Sequence, residues 1–407
     1  MATLDMATPR RTFNQRTAAT AGLVATGSTG ALGGAVFAGT KMAAASTPPA
    51  KWNAAKDVAL VPSYCHMCLW RCGIQVAVSN GRAFKIYGHP ENPNNAGKTC
   101  ARGQAGIMDL YDPDRLKTPL IRTGERGDGQ YRKATWTEAL DYAATGLKKV
   151  ADRWGGPEAI AWFAHNGGDY FFADLLPGAW GSPNTGKPSE GLCTTPRERA
   201  SSLTFGRAGG VHEPIDWEHT DYVVLIGNHI GENAHVGHLR GLADARARGM
   251  KLVVVDPRQS TAAGKADAWL AIRPGTDTAL LLAWMNVLIG EGLYDKAYVE
   301  RWANGFPELA THVRQYTPEW AAQLTDIPAD TIRRVARELA AHAPRAVVPP
   351  GRHTTWYGND TQRLRALYIV NVLLGNVGRK GGLYFAQAPF IDKYPIPALA
   401  NEPDTGG

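Results

Sequence analysis

The chain has 407 residues, room for two or three domains, because single cores stop growing near ~250 to 300 residues. Hydrophobic and charged fractions of 44% and 20% are ordinary for a globular protein and exclude a disordered chain or a many-spanning membrane protein. The formal charge of +7 is not a nucleic-acid footprint: Arg10, Arg11, Arg16 and Lys41 against Asp5 account for +3 within residues 1–45, and the remaining +4 contains no Lys/Arg run. It suits solubility and mild attraction of anions, with no nucleic-acid partner.

Residues 1–45 have the parts of an export signal: a basic start, a weakly apolar Ala/Gly-rich run from Thr17 to Gly39, and "MAAAS" with Ala43 and Ala45 before a cleavage point. Arg10-Arg11 ahead of Phe13 resembles a twin-arginine signal. The competing reading, a membrane anchor, needs ~20 mostly apolar residues, and a run this rich in Gly and Thr is a poor one. Export by the twin-arginine route, which carries folded proteins, and a periplasmic location are therefore expected.

The next stretch, "PSYCHMCLWRCGIQV", holds Cys65, Cys68 and Cys72 in eight positions, and Cys100 follows after 27 intervening residues in "GKTCARGQAG". The fifth cysteine is Cys193. An odd total argues against a plain disulfide framework, and three thiols within two turns cannot pair cleanly among themselves. Two metal readings stay open beside it: a cubane cluster, which takes four thiolates, and zinc, for which His66 and His89 are additional ligands.

A helix comes next, with Thr135-x-x-Glu138 as its capping box, Leu140, Leu147 and Val150 on one apolar face, and Gly155-Gly156 as its stop. Beyond it, "EAIAWFAH", "TDYVVLIG", "GMKLVVVDP" and "DAWLAI" read as strands, with the helical "HLRGLADARARG" between the second and third. Continuous Val/Leu/Ile runs bounded by helices predict buried parallel strands. The fold class is thus α/β: a small N-terminal domain, then open, mostly parallel sheets that bind ligands at the carboxyl ends of their strands. Past those ends lie Gly227 and Asn228, then Asp256 and Arg258, then Gly275, Thr276 and Asp277 at a helix start. An acidic group there can accept from a ribose hydroxyl, and a helix N-terminus can face a phosphate or a purine edge. Each is also an ordinary loop residue. The later helices read as core, without internal repeats.

Taken together, "CHMCLWRC" with "GKTCARGQAG", and "DPR" followed by "RPGTD", resemble the molybdopterin oxidoreductase (dimethyl sulfoxide reductase) family over residues 60–385. "PPGRHTTWYGNDTQRLRALYIVNVLLGNVGRKGG", residues 349–382, resembles the polysulfide and thiosulfate reductase catalytic subunits within it. The resemblance implies a 4Fe-4S cluster on Cys65, Cys68, Cys72 and Cys100, and Lys98 between that cluster and a pterin. It implies a molybdenum bis(molybdopterin guanine dinucleotide) cofactor on Gly227, Asn228, Asp256, Arg258, Gly275, Thr276 and Asp277. Cys193 would be the molybdenum ligand, with Arg352 and His353 lining a funnel for a small anionic sulfur substrate. His165, at the end of "EAIAWFAH", is a weaker candidate for the same side. Gly-Asn-His at 227–229 departs from the family's Gly-x-Asn, which leaves Asn228 less anchored than Asp256 or Asp277.

Implied partners are an iron-sulfur electron-transfer subunit and a membrane-anchor subunit. The expected domains are a signal at 1–45, the 4Fe-4S domain at 57–116, and molybdopterin-binding α/β domains at 117–407. Family members of this branch are longer and end in a β-rich domain that this sequence lacks, so a fragment of a longer subunit is expected. Alternatives on the same framework are arsenate reduction, sulfite oxidation, or a molybdenum-free electron-transfer homologue.

Overall fold

A computed structural model describes residues 57–68, 70–163, 176–186, 195–207, 214–228, 230–232, 236–351 and 358–385. The first element is an antiparallel meander of β1 (Ala59–Tyr64), β2 (Gly73–Ser79) and β3 (Arg82–Gly88). Asn80 and Gly81, at φ 49° and 71°, form the two-residue turn that right-handed strand twist favours. Only a thin core lies beneath: Ile74, Ala77 and Ile86 are buried, while every residue of β1 is exposed. Helix α1 (Ala101–Leu110) starts at Cys100 and lies on β3.

After the short pair β4 (Leu120–Arg122) and β5 (Tyr131–Lys133) comes α2 (Trp136–Trp154). Its ends agree with the sequence: Thr135 accepts from the Glu138 amide, and Gly155 takes the left-handed cap at φ 88°. Its apolar stripe is not covered by the described residues. No α2 residue is buried, and Leu140 is 61% exposed.

"EAIAWFAH" does not form one strand. Pro157 opens a 3-10 turn closed by the Ile160 amide on the Pro157 carbonyl (3.0 Å), and among the described residues of this stretch Trp162–Phe163 alone form a strand, β6. It pairs with β7 (Thr185–Gly186), apart from the main sheet. Proline's fixed φ favours a helical first turn and removes a ladder donor, so the turn wins the first half.

The main sheet has the order β10-β9-β8-β11, all parallel, from β8 (Tyr222–Ile226), β9 (Lys251–Val255), β10 (Ala268–Leu270) and β11 (Ala346–Val347). Three of these are the strands expected from their apolar runs; β11, only two residues long, has no such run. Alternate residues feed two cores, as the two-residue strand period requires. Tyr222, Val224, Ile226, Val253 and Val255 pack toward one face with helices α5 (Asp277–Gly290), α9 (Ala329–His342) and α10 (Asp360–Leu373). Val223, Leu225, Leu252 and Val254 pack toward the other with α4 (Val236–Ala247). Coverage on both faces explains the unbroken apolar runs. Further helices are α3 (Thr195–Phe205), α6 (Lys296–Trp302), α7 (Phe306–His312) and α8 (Pro318–Thr325). No described helix is long and apolar enough to cross a membrane.

Candidate functional site

Two places concentrate chemistry. The first is a small cavity whose walls include Cys65, Cys68, Cys72 and Cys100, all free thiols, with Met67 and Trp70. Backbone geometry brings them together: the Cys65 amide donates to the Cys72 carbonyl (2.8 Å), and Arg71 adopts a left-handed φ of 44° that folds the loop back. Cys100 arrives as the N-cap residue of α1. Burial, then the neighbouring Cys68, Cys65 and Cys100, push the Cys72 thiol up to about 11. A buried thiol that resists ionising, with three more thiols around it, suits a strongly cationic guest.

Cys65, Cys68, Cys72 and Cys100 line one cavity, and four thiolates are the donor set that a cubane cluster takes. The histidines that kept zinc open do not line that cavity: the His89 Nδ1 accepts from the Glu91 amide (3.3 Å), and His66 meets Tyr64 edge-on. Lys98 is exposed and sits in a tight turn, its amide donating to the Asn95 carbonyl (2.9 Å). A Cβ at Gly88 would come within 2.5 Å of the Lys98 amide nitrogen and closer still to Gly97, so the turn rests directly on β3.

The cluster loop docks on α4. Trp70 meets His238 edge-on (5.1 Å), a Cβ at Gly237 would stand 2.7 Å from the Asn94 carbonyl oxygen, and Val236 lines the thiol cavity. Helix α4 begins on the carboxyl side of β8, so the cavity adjoins the edge of the sheet where the second site lies.

That second site lies where the strand order reverses. The chain steps from β8 to β9 to β10 on one side, then β11 returns on the other side of β8. Open α/β sheets bind ligands at such a switch, beyond the strand ends. Gly227 has φ 55°, and Asn228 beside it is buried. Gly351, four residues past β11 and at φ 65°, approaches the same turn: a Cβ there would stand 3.5 Å from the Ile226 carbonyl and 3.8 Å from the Asn228 side chain.

Asp256 is buried; its carboxylate accepts from the Arg258 amide (2.8 Å), and its carbonyl from the Trp269 indole (2.8 Å). Arg258 reaches outward to Glu232 (2.7 Å), which also accepts from the Thr261 amide (2.8 Å). Gly275 (φ 82°) turns the chain into α5. There the Thr276 hydroxyl donates to the Arg273 carbonyl (2.6 Å), and Asp277 is buried in the first helical turn.

Burial raises the Asp277 carboxyl, against the pull of the Arg363 guanidinium, with Asp360 and Asp256 adding to the rise. Arg363 and Asp360 lie 3.7 Å apart, each 5% exposed. The structure therefore gathers Gly227, Asn228, Asp256, Arg258, Gly275, Thr276 and Asp277 along one edge and adds a buried Asp360–Arg363 pair that sequence reasoning missed. An acid at a helix start with an arginine three residues on, "DTQR", was the available signal.

Cys193, Arg352, His353 and His165 lie outside the described residues. Helix α3 comes two residues after Cys193, with its buried Arg197 paired to Glu198 (2.9 Å). The segment leading to Arg352 is held by Asn371, whose side chain accepts from the Val348 amide (3.1 Å) and donates to its carbonyl (2.7 Å).

Two family models match this chain: the molybdopterin oxidoreductase Fe4S4 domain over residues 58–112 and molybdopterin oxidoreductase over residues 115–394. The chain belongs to the molybdopterin oxidoreductase family. It is 41% identical over 325 residues to the thiosulfate reductase molybdopterin-containing subunit PhsA of Salmonella typhimurium, covering 80% of this chain and 42% of that one. It is 30% identical over 355 residues to the dimethyl sulfoxide reductase DmsA of Escherichia coli, covering 77% and 43%. The solved acetylene hydratase from Pelobacter acetylenicus is similar with a TM-score of 0.68 and 28% identity over 77% of this chain and 43% of that one. The chain thus spans less than half the length of these relatives.

Proposed function

We propose that this chain is the catalytic part of a molybdenum-dependent reductase of small sulfur anions, thiosulfate or polysulfide, that takes electrons in through a 4Fe-4S cluster. The observation that carries the reading is the four-thiol cavity set against α4, whose start adjoins the ligand edge of a parallel sheet, in a chain 41% identical to a thiosulfate reductase subunit. Cys65, Cys68, Cys72 and Cys100 hold the cluster, and Lys98 lies between it and the pterin. Gly227 and Asn228 let the cofactor approach the backbone closely, Asp256 and Arg258 take its ribose and phosphate groups, and Gly275, Thr276 and Asp277 face the base of a guanine dinucleotide.

When bound, the cofactor supplies the two-electron chemistry and the atom transfer. The chain's own part is to hold and orient. Cys193 offers a soft thiolate to the metal, and Arg352 and His353 present positive charge and donors where charge builds on the leaving sulfur. In this reading the protein is exported by the twin-arginine route to the periplasm, functions in anaerobic respiration, and works with an iron-sulfur subunit and a membrane-anchor subunit.

Reduction of thiosulfate, polysulfide, arsenate and sulfoxide by the cofactor-loaded protein under anaerobic conditions tests it. Turnover with thiosulfate or polysulfide, lost in Cys193→Ala with iron content unchanged, is the expected result. Turnover with arsenate or sulfoxide alone, or full activity in Cys193→Ala, would overturn it.

A further inference from the structure

The segment "ENPNN", residues 91–95, contains the one fully buried asparagine of the cluster domain's described residues, and neither the cluster nor the pterin site uses its side chain. Asn95 has no exposed surface. Its amide oxygen accepts from the Gly73 amide (3.0 Å), and its amide nitrogen donates to the carbonyls of Gly73 (3.0 Å) and Lys98 (2.6 Å). Its own carbonyl accepts from the Lys98 amide (2.9 Å). Gly73 directly follows Cys72, and Lys98 stands two residues before Cys100.

One side chain therefore ties the backbone at the third thiol to the backbone leading into the fourth. The first thiol joins the same network, because the Cys65 amide donates to the Cys72 carbonyl (2.8 Å). Neighbouring asparagines brace it: the Asn92 carboxamide oxygen accepts from the Asn94 and Asn95 amides, and a Cβ at Gly73 would collide with Asn92. Three hydrogen bonds on one buried carboxamide hold a geometry that β2 and β3 cannot impose alone, since the loops between the cysteines lie outside the sheet.

We propose that Asn95 is the positioning residue of the cluster site: it sets the separation of Cys72 from Cys100 and fixes the Lys98 turn, so that four thiols and one lysine face a single cluster. This rests on the 4Fe-4S reading of the cavity. Partners behind metal ligands commonly change metal retention by about 10–100-fold when lost.

The test compares the cofactor-loaded full chain, purified without oxygen, with Asn95→Asp and Asn95→Ser. Aspartate keeps the acceptor for Gly73 and turns both donors into repulsion. Serine is smaller and keeps one acceptor and one donor. The rate of iron loss to a chelator and the paramagnetic spectrum of the reduced cluster are measured, with circular dichroism as the check on the fold. Expected is iron loss at least ~10-fold faster in Asn95→Asp, an altered spectrum, and intermediate values in Asn95→Ser, all with unchanged helix content. If Asn95→Asp does not fold, Asn95→Ser decides by the same two readouts. Wild-type loss rates and an unchanged spectrum in Asn95→Ser would overturn the proposal. A parent protein that binds no iron would end the cluster reading and the proposal with it, a failure visible before any variant is made.

Discussion

The cluster domain and the main sheet are held together by different means. In the sheet, β8 is buried along its whole length, and two apolar cores flank it. In residues 57–112 the core is a handful of side chains, β1 is exposed throughout, and the order of the loops rests on hydrogen bonds through Asn92, Asn94 and Asn95. Small domains without a sufficient core borrow stability from metals or cross-links. The lesson is that the region with the thinner protein core is the one whose four cysteines, in the proposed reading, bond its guest directly.

Removing that guest should break the comparison most visibly. Stripping iron from the protein is expected to abolish amide-exchange protection across residues 58–112 while residues 222–226 and 251–255 stay protected. Equal loss in both regions would show that the two are one cooperative unit.

The next largest effect is expected in the other region. Arg363→Leu takes a buried guanidinium away from the buried carboxylates of Asp360 and Asp277, at a cost of about 3–5 kcal/mol in urea unfolding. A change below ~1 kcal/mol would show that the buried charges do not depend on one another.

Asp277→Asn sharpens the same point through pH. The folded-state pKa of Asp277 is raised, so the folded chain holds its proton longer than the unfolded one. This contribution to stability is complete below the unfolded value of about 4 and is lost as pH rises through the folded value. The variant should therefore lose less stability than the parent between pH 4 and 7, read from urea midpoints of the cofactor-free chain by tryptophan fluorescence. Parallel pH curves would contradict this.

The smallest effect lies between the regions. Thr135→Ala removes the N-cap of α2, whose residues are all at least partly exposed. About 1 kcal/mol of local helix stability should be lost, seen as faster exchange near Glu138 with no change at β8.

Much of this was legible in sequence because it depends on short-range rules. The runs "YVVLI" and "KLVVV" announce strands covered on both faces, Thr135 and Gly155 announce the ends of α2, and four cysteines at their spacing announce a thiol-lined site. Other features depend on distant partners. Strand β11 is two residues whose strand character comes from pairing with β8. Pro157 redirected "EAIAWFAH" because its turn outweighed β propensity. Arg363 reads as a surface arginine until α10 and α5 bring it beside Asp277. Asn95 looks like a loop residue in "ENPNN", and only the folded backbone shows that Gly73 and Lys98 meet at its side chain.

The central claim is that this chain carries a 4Fe-4S cluster and a molybdenum-bearing pterin side by side. Iron and molybdenum per chain, measured in protein matured in a host that makes the cofactor and purified without oxygen, test it most directly. The account predicts about four irons and about one molybdenum per chain. Iron without molybdenum, or neither metal, would contradict it.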